Sequence, residues 1–252
     1  WDYAGYTALY NQVYDALKAV NPRIQVGGPY LVVEGDGTDS AQWWGAQPIT
    51  ARNNRVLDYW LQHAHGADFI VLDRSVVDDE LGRKERTARE VMAHTADIGS
   101  ICDQVRAKTH LPIWFAECYG WTDKAEDRQL LAACMASLFA HLIRHGATTA
   151  LVWQPQDDTP PDWTHALFTD TRHPGGGQPY PLYYVLKALH QNFGPGTRLC
   201  KTISSSPDVE SLASVRKTLL INKSAETLTM LVNGRSHTLL GYEVRLIDTP
   251  AP

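Results

Sequence analysis

The residues that could do chemistry in this chain are carboxylates set among aromatics. Leu111-Pro-Ile-Trp-Phe-Ala-Glu-Cys-Tyr-Gly-Trp121 is an apolar run short enough for a buried strand, and it ends on Glu117 with aromatics and a glycine directly after it. In parallel α/β proteins, ligands and chemistry collect at the C-terminal ends of strands, because the following loops vary while the strands hold position. Glu117 is therefore the first catalytic candidate, against the plain alternative of a loop glutamate paired with an arginine. A retaining cleavage of a glycosidic bond would use such a group as nucleophile and would need a second carboxyl as acid and then base, about 5 to 5.5 Å away. The eight Trp and eleven Tyr of the 252 residues fit the same chemistry, since their apolar faces stack on sugar rings, although core packing could absorb most of them.

The elements that must position Glu117 repeat along the chain. Tyr6, Leu9, Tyr10, Val13, Leu17 and Val20 recur at helical spacing, and Asn21-Pro22 ends that helix. Ile24 to Gly28 reads as a short strand, followed by a long loop from Pro29 to Thr50. A helix from about Asn53 to Gly66 leads to a strand from Asp68 to Leu72 that ends at Asp73. One long helix is expected through Val91, Thr95, Ile98, Cys102 and Val105, and then the strand from Leu111 to Ala116 delivers Glu117. After Asp123 and Glu126, spaced as a helix cap, a helix carrying Leu130, Leu131, Cys134, Leu138 and Leu142 runs to Gly146. Thr148 to Val152 is a strand ending at Trp153, the loop from Gln154 to Tyr180 is again long, and Pro181 opens a last helix through Asn192. Loops of this length in compact domains are usually functional or mobile. Strands that are apolar without alternation, each next to a helix, predict α/β architecture with a parallel sheet covered on both faces.

Past Gly194-Pro195-Gly196 the pattern changes. Val209 to Val215, Thr218 to Asn222, Thr227 to Val232 and Glu243 to Ile247 are short and β-branched or alternating, with Arg216-Lys217, Asn222-Lys-Ser224 and Asn233-Gly234 between them. The chain thus divides into an α/β part, residues 1–195, and a small antiparallel β-domain, 196–252, whose last strands pack on the first part.

Several classes are excluded or disfavoured. A net charge of −5 with no Lys/Arg cluster argues against nucleic acid as partner. No apolar run approaches a membrane span, and no signal peptide is visible in a first segment that already reads as an amphipathic helix. Localisation stays open. Cys102, Cys118, Cys134 and Cys200 lack zinc spacing and read as free thiols. His63 and His65 read as surface, and His141 and His145, four apart on a helix, lack the intervening Glu of a zinc protease and read as structural. Gly175-Gly-Gly177 reads as a hinge. No metal and no organic cofactor is expected.

In order along the chain, these motifs resemble the clan-A glycoside hydrolases, TIM-barrel retaining β-glycosidases, and among them the β-xylosidase and iduronidase family. Leu9-Tyr-Asn-Gln-Val-Tyr-Asp-Ala-Leu-Lys-Ala-Val-Asn-Pro22 and Val26-Gly-Gly-Pro29 are similar to the fourth helix and fifth strand of that barrel. Leu111 to Glu117 resembles the seventh strand and Thr148 to Trp153 the eighth; Tyr180 to Leu186 resembles the final helix, and Leu219 to Lys223 with Gly241 to Leu246 the accessory β-domain. The resemblance implies a partial (β/α)8 barrel with the equivalents of strands five to eight, Glu117 as nucleophile, Trp153 as the sugar platform, and a carbohydrate substrate. It also implies an acid/base in an Asn-Glu pair ending strand four, and the chain contains no Asn-Glu pair. The nearest substitute in barrel order is Glu34, with Asp73 and Asp157 as weaker choices. Asp73-Arg74 stands where strand six of the family carries His or Tyr, and reads either as a self-contained ion pair or as a substrate contact. Tyr119, Trp121, Trp43, Trp44 and Trp163 are further candidates for subsite walls. A carbohydrate-binding or degenerate non-catalytic protein with the same aromatic cleft is the alternative. A complete barrel takes roughly 250 residues, so the open seam is expected to be covered by a missing N-terminal half or by a second copy in a homo-oligomer.

Overall fold

The computed structural model describes residues 2–33, 48–76, 87–120, 127–161 and 165–249. Its order is α1 (Tyr3–Val20), β1 (Gly27–Val32), α2 (Ala51–His63), β2 (Phe69–Ser75), α3 (Ala88–His94), α4 (Asp97–Arg106), β3 (Ile113–Tyr119), α5 (Arg128–Arg144), β4 (Thr149–Ala150) and α6 (Pro181–Asn192), followed by the strands β5 (Leu199–Cys200), β6 (Val209–Ser214), β7 (Lys217–Asn222), β8 (Leu228–Val232), β9 (Arg235–Leu239) and β10 (Val244–Asp248). The first four strands form one sheet in the order β1-β2-β3-β4, all pairs parallel. Sequential order with helices between strands is what repeated β-helix-β units produce.

One face of this sheet is sealed. Ile70, Leu72, Ile113, Phe115 and Cys118 are fully buried and share one core with Leu131, Cys134, Met135 and Leu138 of α5. Helix α5 is buried along almost its whole length, because β6, β7 and β10 close over its other side. There Leu212, Leu219 and Ile221 join the same core. Glu210 of β6 ties the layers together: Ser137 donates to it, Arg144 lies 2.6 Å and His141 3.2 Å from its Oε1, and Lys223 lies 3.7 Å from its Oε2.

Three boundaries differ from the expectation. The first strand runs from Gly27 to Val32 rather than Ile24 to Gly28. Ile24 and Val26 spend their backbone groups on Lys18 and Asp68, and Pro29 is tolerated inside the strand because β1 is an edge. The single helix expected through Val91 to Val105 is two. At the break the Thr95 hydroxyl bonds the Met92 carbonyl at 2.9 Å and the Ser137 hydroxyl at 2.7 Å, a side-chain competitor for the helical ladder. The C-terminal strands form two sheets, β10-β7-β6-β5 and the hairpin β8-β9, and the sequence reading lacked β5 and β9. Arg235 to Leu239 is too polar to announce a strand. The turn before it was legible: Asn233 and Gly234 both have positive φ, 47° and 78°, as a two-residue hairpin turn requires.

No helix among the described residues is long and apolar enough to cross a membrane. The cysteines are free thiols, three buried and Cys200 exposed.

Candidate active site

Along β2 and β3 the side chains alternate between the sealed face and the opposite, open face. Strict alternation in β3 would send Glu117 the same way as Phe115, into the core. The register prevents it. Phe115 pairs with Leu72 but Glu117 pairs with Asp73, so Ala116 is an extra residue, a β-bulge. Bulges beside functional sites re-aim side chains, and this one turns Glu117 onto the open face with Asp73. Beneath it on that face Phe69 and Trp114 stack with ring centroids 3.9 Å apart.

A second bulge acts on β1. Pro29 pairs with Val71 and Leu31 with Leu72, which leaves Tyr30 unpaired. Tyr30 has φ of 53°, a left-handed backbone that a bulky residue adopts only at a cost on the order of 1–3 kcal/mol. Its hydroxyl donates to Glu117 Oε2 at 2.7 Å, while the hydroxyl of Tyr119 donates to Oε1. Each carboxylate oxygen thus accepts from a different phenol. Both phenols are held protonated, Tyr30 and Tyr119 each being raised by burial first and then by the hydrogen bond to Glu117, with the charge of Asp73 adding to both. Cys118 is raised by burial and then by the charges of Asp73 and Glu117, so the two carboxylates act on one neighbourhood. A cleft of about 720 Å³ opens beside Tyr30, walled by Tyr3, Tyr6, Val32, Arg52 and Arg55.

Trp153 follows the fourth strand and is 55% exposed, with Leu151 also exposed. The long segment after it packs on itself. Asp157 N–H donates to Phe168 O, Leu167 N–H to Pro155 O, and Tyr180 N–H to Leu167 O. Gly175 to Gly177 closes this hairpin as a turn rather than a hinge, through Gly176 N–H to His173 O and Gly177 N–H to Thr169 O.

The structure thus brings together Glu117, Tyr119 and Asp73, with Trp153 at the end of the neighbouring strand. Asp73 and Arg74 point to opposite faces: Arg74 is buried and donates to Val33 O at 2.9 Å. Asp157 is 1% exposed, ion-paired with Arg128 and bonded by Tyr180 at 2.9 Å. Glu34, Trp43, Trp44, Trp121 and Trp163 lie outside the described residues. Sequence reading missed Tyr30, whose available signal was an aromatic just beyond the Val26-Gly-Gly-Pro29 strand. His63 and His65 are surface residues, and His141 and His145 pair with Glu210 and Asp103. Among the described residues no group of three or more His, Cys, Asp or Glu is arranged to hold a metal ion.

No protein-family model matches the chain, and no curated protein matches it. Solved structures do. A monomeric β-xylosidase from Caulobacter crescentus matches with a TM-score of 0.56 at 18% identity, over 88% of this chain and 43% of that one. The GH39 enzyme from Xanthomonas axonopodis pv. citri matches at 0.57 and 19%, over 88% and 42%. A family 39 glycoside hydrolase from the gut symbiont Bacteroides cellulosilyticus matches at 0.58 and 17%, over 97% and 55%. The fold is therefore similar to that of clan-A glycoside hydrolases. The chain spans about half the length of these structures or less.

Proposed function

We propose that the chain is the nucleophile-bearing part of a retaining glycosidase, with its four parallel strands equivalent to strands five to eight of a (β/α)8 barrel. Residues 1–195 form the barrel part and 196–252 the accessory β-part. The observation that carries this reading is the placement of Glu117: a bulge turns it to the open face at a strand's C-terminal end, where two neutral donors hold its oxygens. Neutral donors fix the geometry of a carboxylate without cancelling its charge, which a nucleophile must keep. The fold similarity to a β-xylosidase and other glycoside hydrolases supports the same reading, as does exposed Trp153 as a platform for a sugar ring.

In this mechanism a Glu117 oxygen attacks the anomeric carbon, the bond to the leaving oxygen breaks with its electron pair while that oxygen takes the proton of the second carboxyl, and a glycosyl ester forms. Water then cleaves the ester, giving its proton to a base and restoring the carboxylate. The phenols of Tyr30 and Tyr119 orient the attacking carboxylate and stabilise it again as it departs. The second carboxyl is assigned to Glu34, with Asp73, beside Glu117 on the same face, as the substitute within the sheet. Either the N-terminal half of a barrel or a second copy covers the open edge of β1 and the exposed stripe Leu9, Val13, Leu17 and Val20 of α1.

The test uses dinitrophenyl 2-deoxy-2-fluoroglycosides, whose leaving group departs without a proton donor and whose fluorine slows release of the ester. A mass increase of one fluoroglycosyl group, mapped to Glu117, is the expected result. Retained binding of oligosaccharide with no label on Glu117 would mark a carbohydrate-binding protein instead.

A further inference from the structure

His165 is completely buried, and its Nε2 accepts the backbone N–H of Gly120 at 3.2 Å, at the point where β3 ends. An accepting Nε2 puts the ring proton on Nδ1. Burial, and then the nearby Arg128 guanidinium, drive the imidazole down to about 3, so it stays a neutral acceptor at any working pH. Its ring lies 5.5 Å from that of Tyr119. Gly120 is held from the other side as well. A Cβ there would sit 2.5 Å from Cys134 Sγ, so the backbone lies directly against α5. The residue before it is fixed to β2, since Val76 N–H donates to Tyr119 O at 2.9 Å. The Tyr119 backbone is therefore held on both sides, and its hydroxyl lies on Glu117 Oε1.

We infer that His165 is a positioning residue: it acts through Gly120 and the Tyr119 ring to hold the Tyr119 hydroxyl on Glu117, coupling the loop after the fourth strand to the nucleophile. This inference rests on the proposed role of Glu117. The described residues 154–161 and 165–180 thereby gain a specific task. Their internal hydrogen bonds and the Arg128–Asp157–Tyr180 cluster deliver one neutral acceptor, 45 residues away in sequence, to the strand end. An alanine or leucine there leaves the Gly120 N–H without its acceptor, whereas the amide oxygen of glutamine reaches the place of Nε2.

The experiment compares H165L, H165Q, Y119F and the H165L/Y119F double variant, with kcat/KM measured on an activated aryl glycoside. H165L and Y119F are each expected to lose roughly tenfold or more, while H165Q stays within about threefold of the wild type. Residues that act as one unit are not additive, so H165L in the Y119F background should cost less than about threefold. Multiplying losses would overturn the inference, and so would an H165Q variant as slow as H165L while equally well folded by circular dichroism. Nuclear magnetic resonance reads the same link without turnover. The Gly120 amide exchanges slowly in the wild type and in H165Q and at least about tenfold faster in H165L, and the Tyr119 ring carbons shift along with it. Tyr119 resonances that stay in place while Gly120 changes would show that His165 holds a backbone amide and nothing more. Absence of all wild-type turnover and labelling would strike the glycosidase reading alone, with the resonance experiment still deciding the role of His165.

Discussion

Glu117 and Glu210 are both carboxylates that accept hydrogen bonds, and the company each keeps is different. Glu210 sits between α5 and the antiparallel sheet with Arg144, His141 and Lys223 within 4 Å and the Ser137 hydroxyl on one oxygen. Its side chain is 11% exposed. Burial works against its charge, and the hydrogen bond and charge of His141, with Ser137 and Arg144, more than offset that, holding it down at about 2. Glu117 faces outward, and its partners among the described residues are two phenols. A carboxylate surrounded by cations has its charge satisfied and serves as a joint; one held by neutral donors keeps its charge for something that arrives from outside. Sequence alone ranked only the second of these, because strand-end position is visible in a sequence and a set of basic partners drawn from α5 and from the residue after β7 is not.

The comparison can be broken at either carboxylate. The largest effect is expected from Glu117→Gln, which removes the proposed nucleophile and should lower turnover of aryl glycosides by at least about a thousandfold, with a thermal melt close to that of the wild type. A Gln variant that still reacts at wild-type rate would put the chemistry elsewhere. Glu210→Gln should do the reverse. It removes the charge that Arg144, His141 and Lys223 face at a buried joint and should cost about 3 kcal/mol of stability, measured by denaturant unfolding, while the rate of labelling at Glu117 below the melting transition stays within about twofold.

The pH dependence sharpens the same contrast. Because the folded protein holds Glu210 near 2, below the ordinary glutamate value, its contribution to stability is complete above about 4.3 and is lost as pH falls from there toward 2. Melting temperatures recorded from pH 7 to pH 3 should fall in the acid range, and the fall should be shallower in Glu210→Gln. Parallel curves would remove Glu210 from the joint.

Smaller effects are expected around Glu117. Tyr30→Phe and Tyr119→Phe each delete one hydrogen bond to a charged group and should each lower kcat/KM by roughly tenfold, with stability changed by less than about 1 kcal/mol because the rings remain. Unchanged rates in both would mean that the phenols decorate the carboxylate without serving it. The smallest effect is expected of Trp153→Ala, which removes the proposed stacking platform and should raise KM a few-fold, roughly three to tenfold, with kcat little altered. A fall in kcat with constant KM would place Trp153 in the transition state instead.

The layout of the fold was largely legible. Apolar runs at Phe69 to Leu72 and Ile113 to Ala116, helical spacing from Leu130 to Leu142 and the Asn233-Gly234 turn report local preferences, and those survive folding. The failures were at places where another element competes: the Thr95 hydroxyl against its own helix, the polar Arg235 to Leu239 strand that forms because Leu228 to Val232 lies beside it, and Ile24 to Val26, taken up by Lys18 and Asp68. In the candidate site, Glu117, Tyr119, Asp73 and Trp153 were named from the sequence, whereas Tyr30 and His165 were not. Each reaches its partner across a long separation, 87 residues from Tyr30 to Glu117 and 45 from His165 to Gly120.

The amino-acid sequence by itself determined that strands and helices alternate, that the strands are apolar enough to be covered, and that a carboxylate stands at the end of one of them. Those properties follow from side-chain type and local spacing. Tertiary structure decided which way that carboxylate looks. The pairing of Glu117 with Asp73 rather than with Arg74 is set by hydrogen bonds to a neighbouring strand, and one residue of register separates a glutamate buried under α5 from one on the open face between two tyrosines.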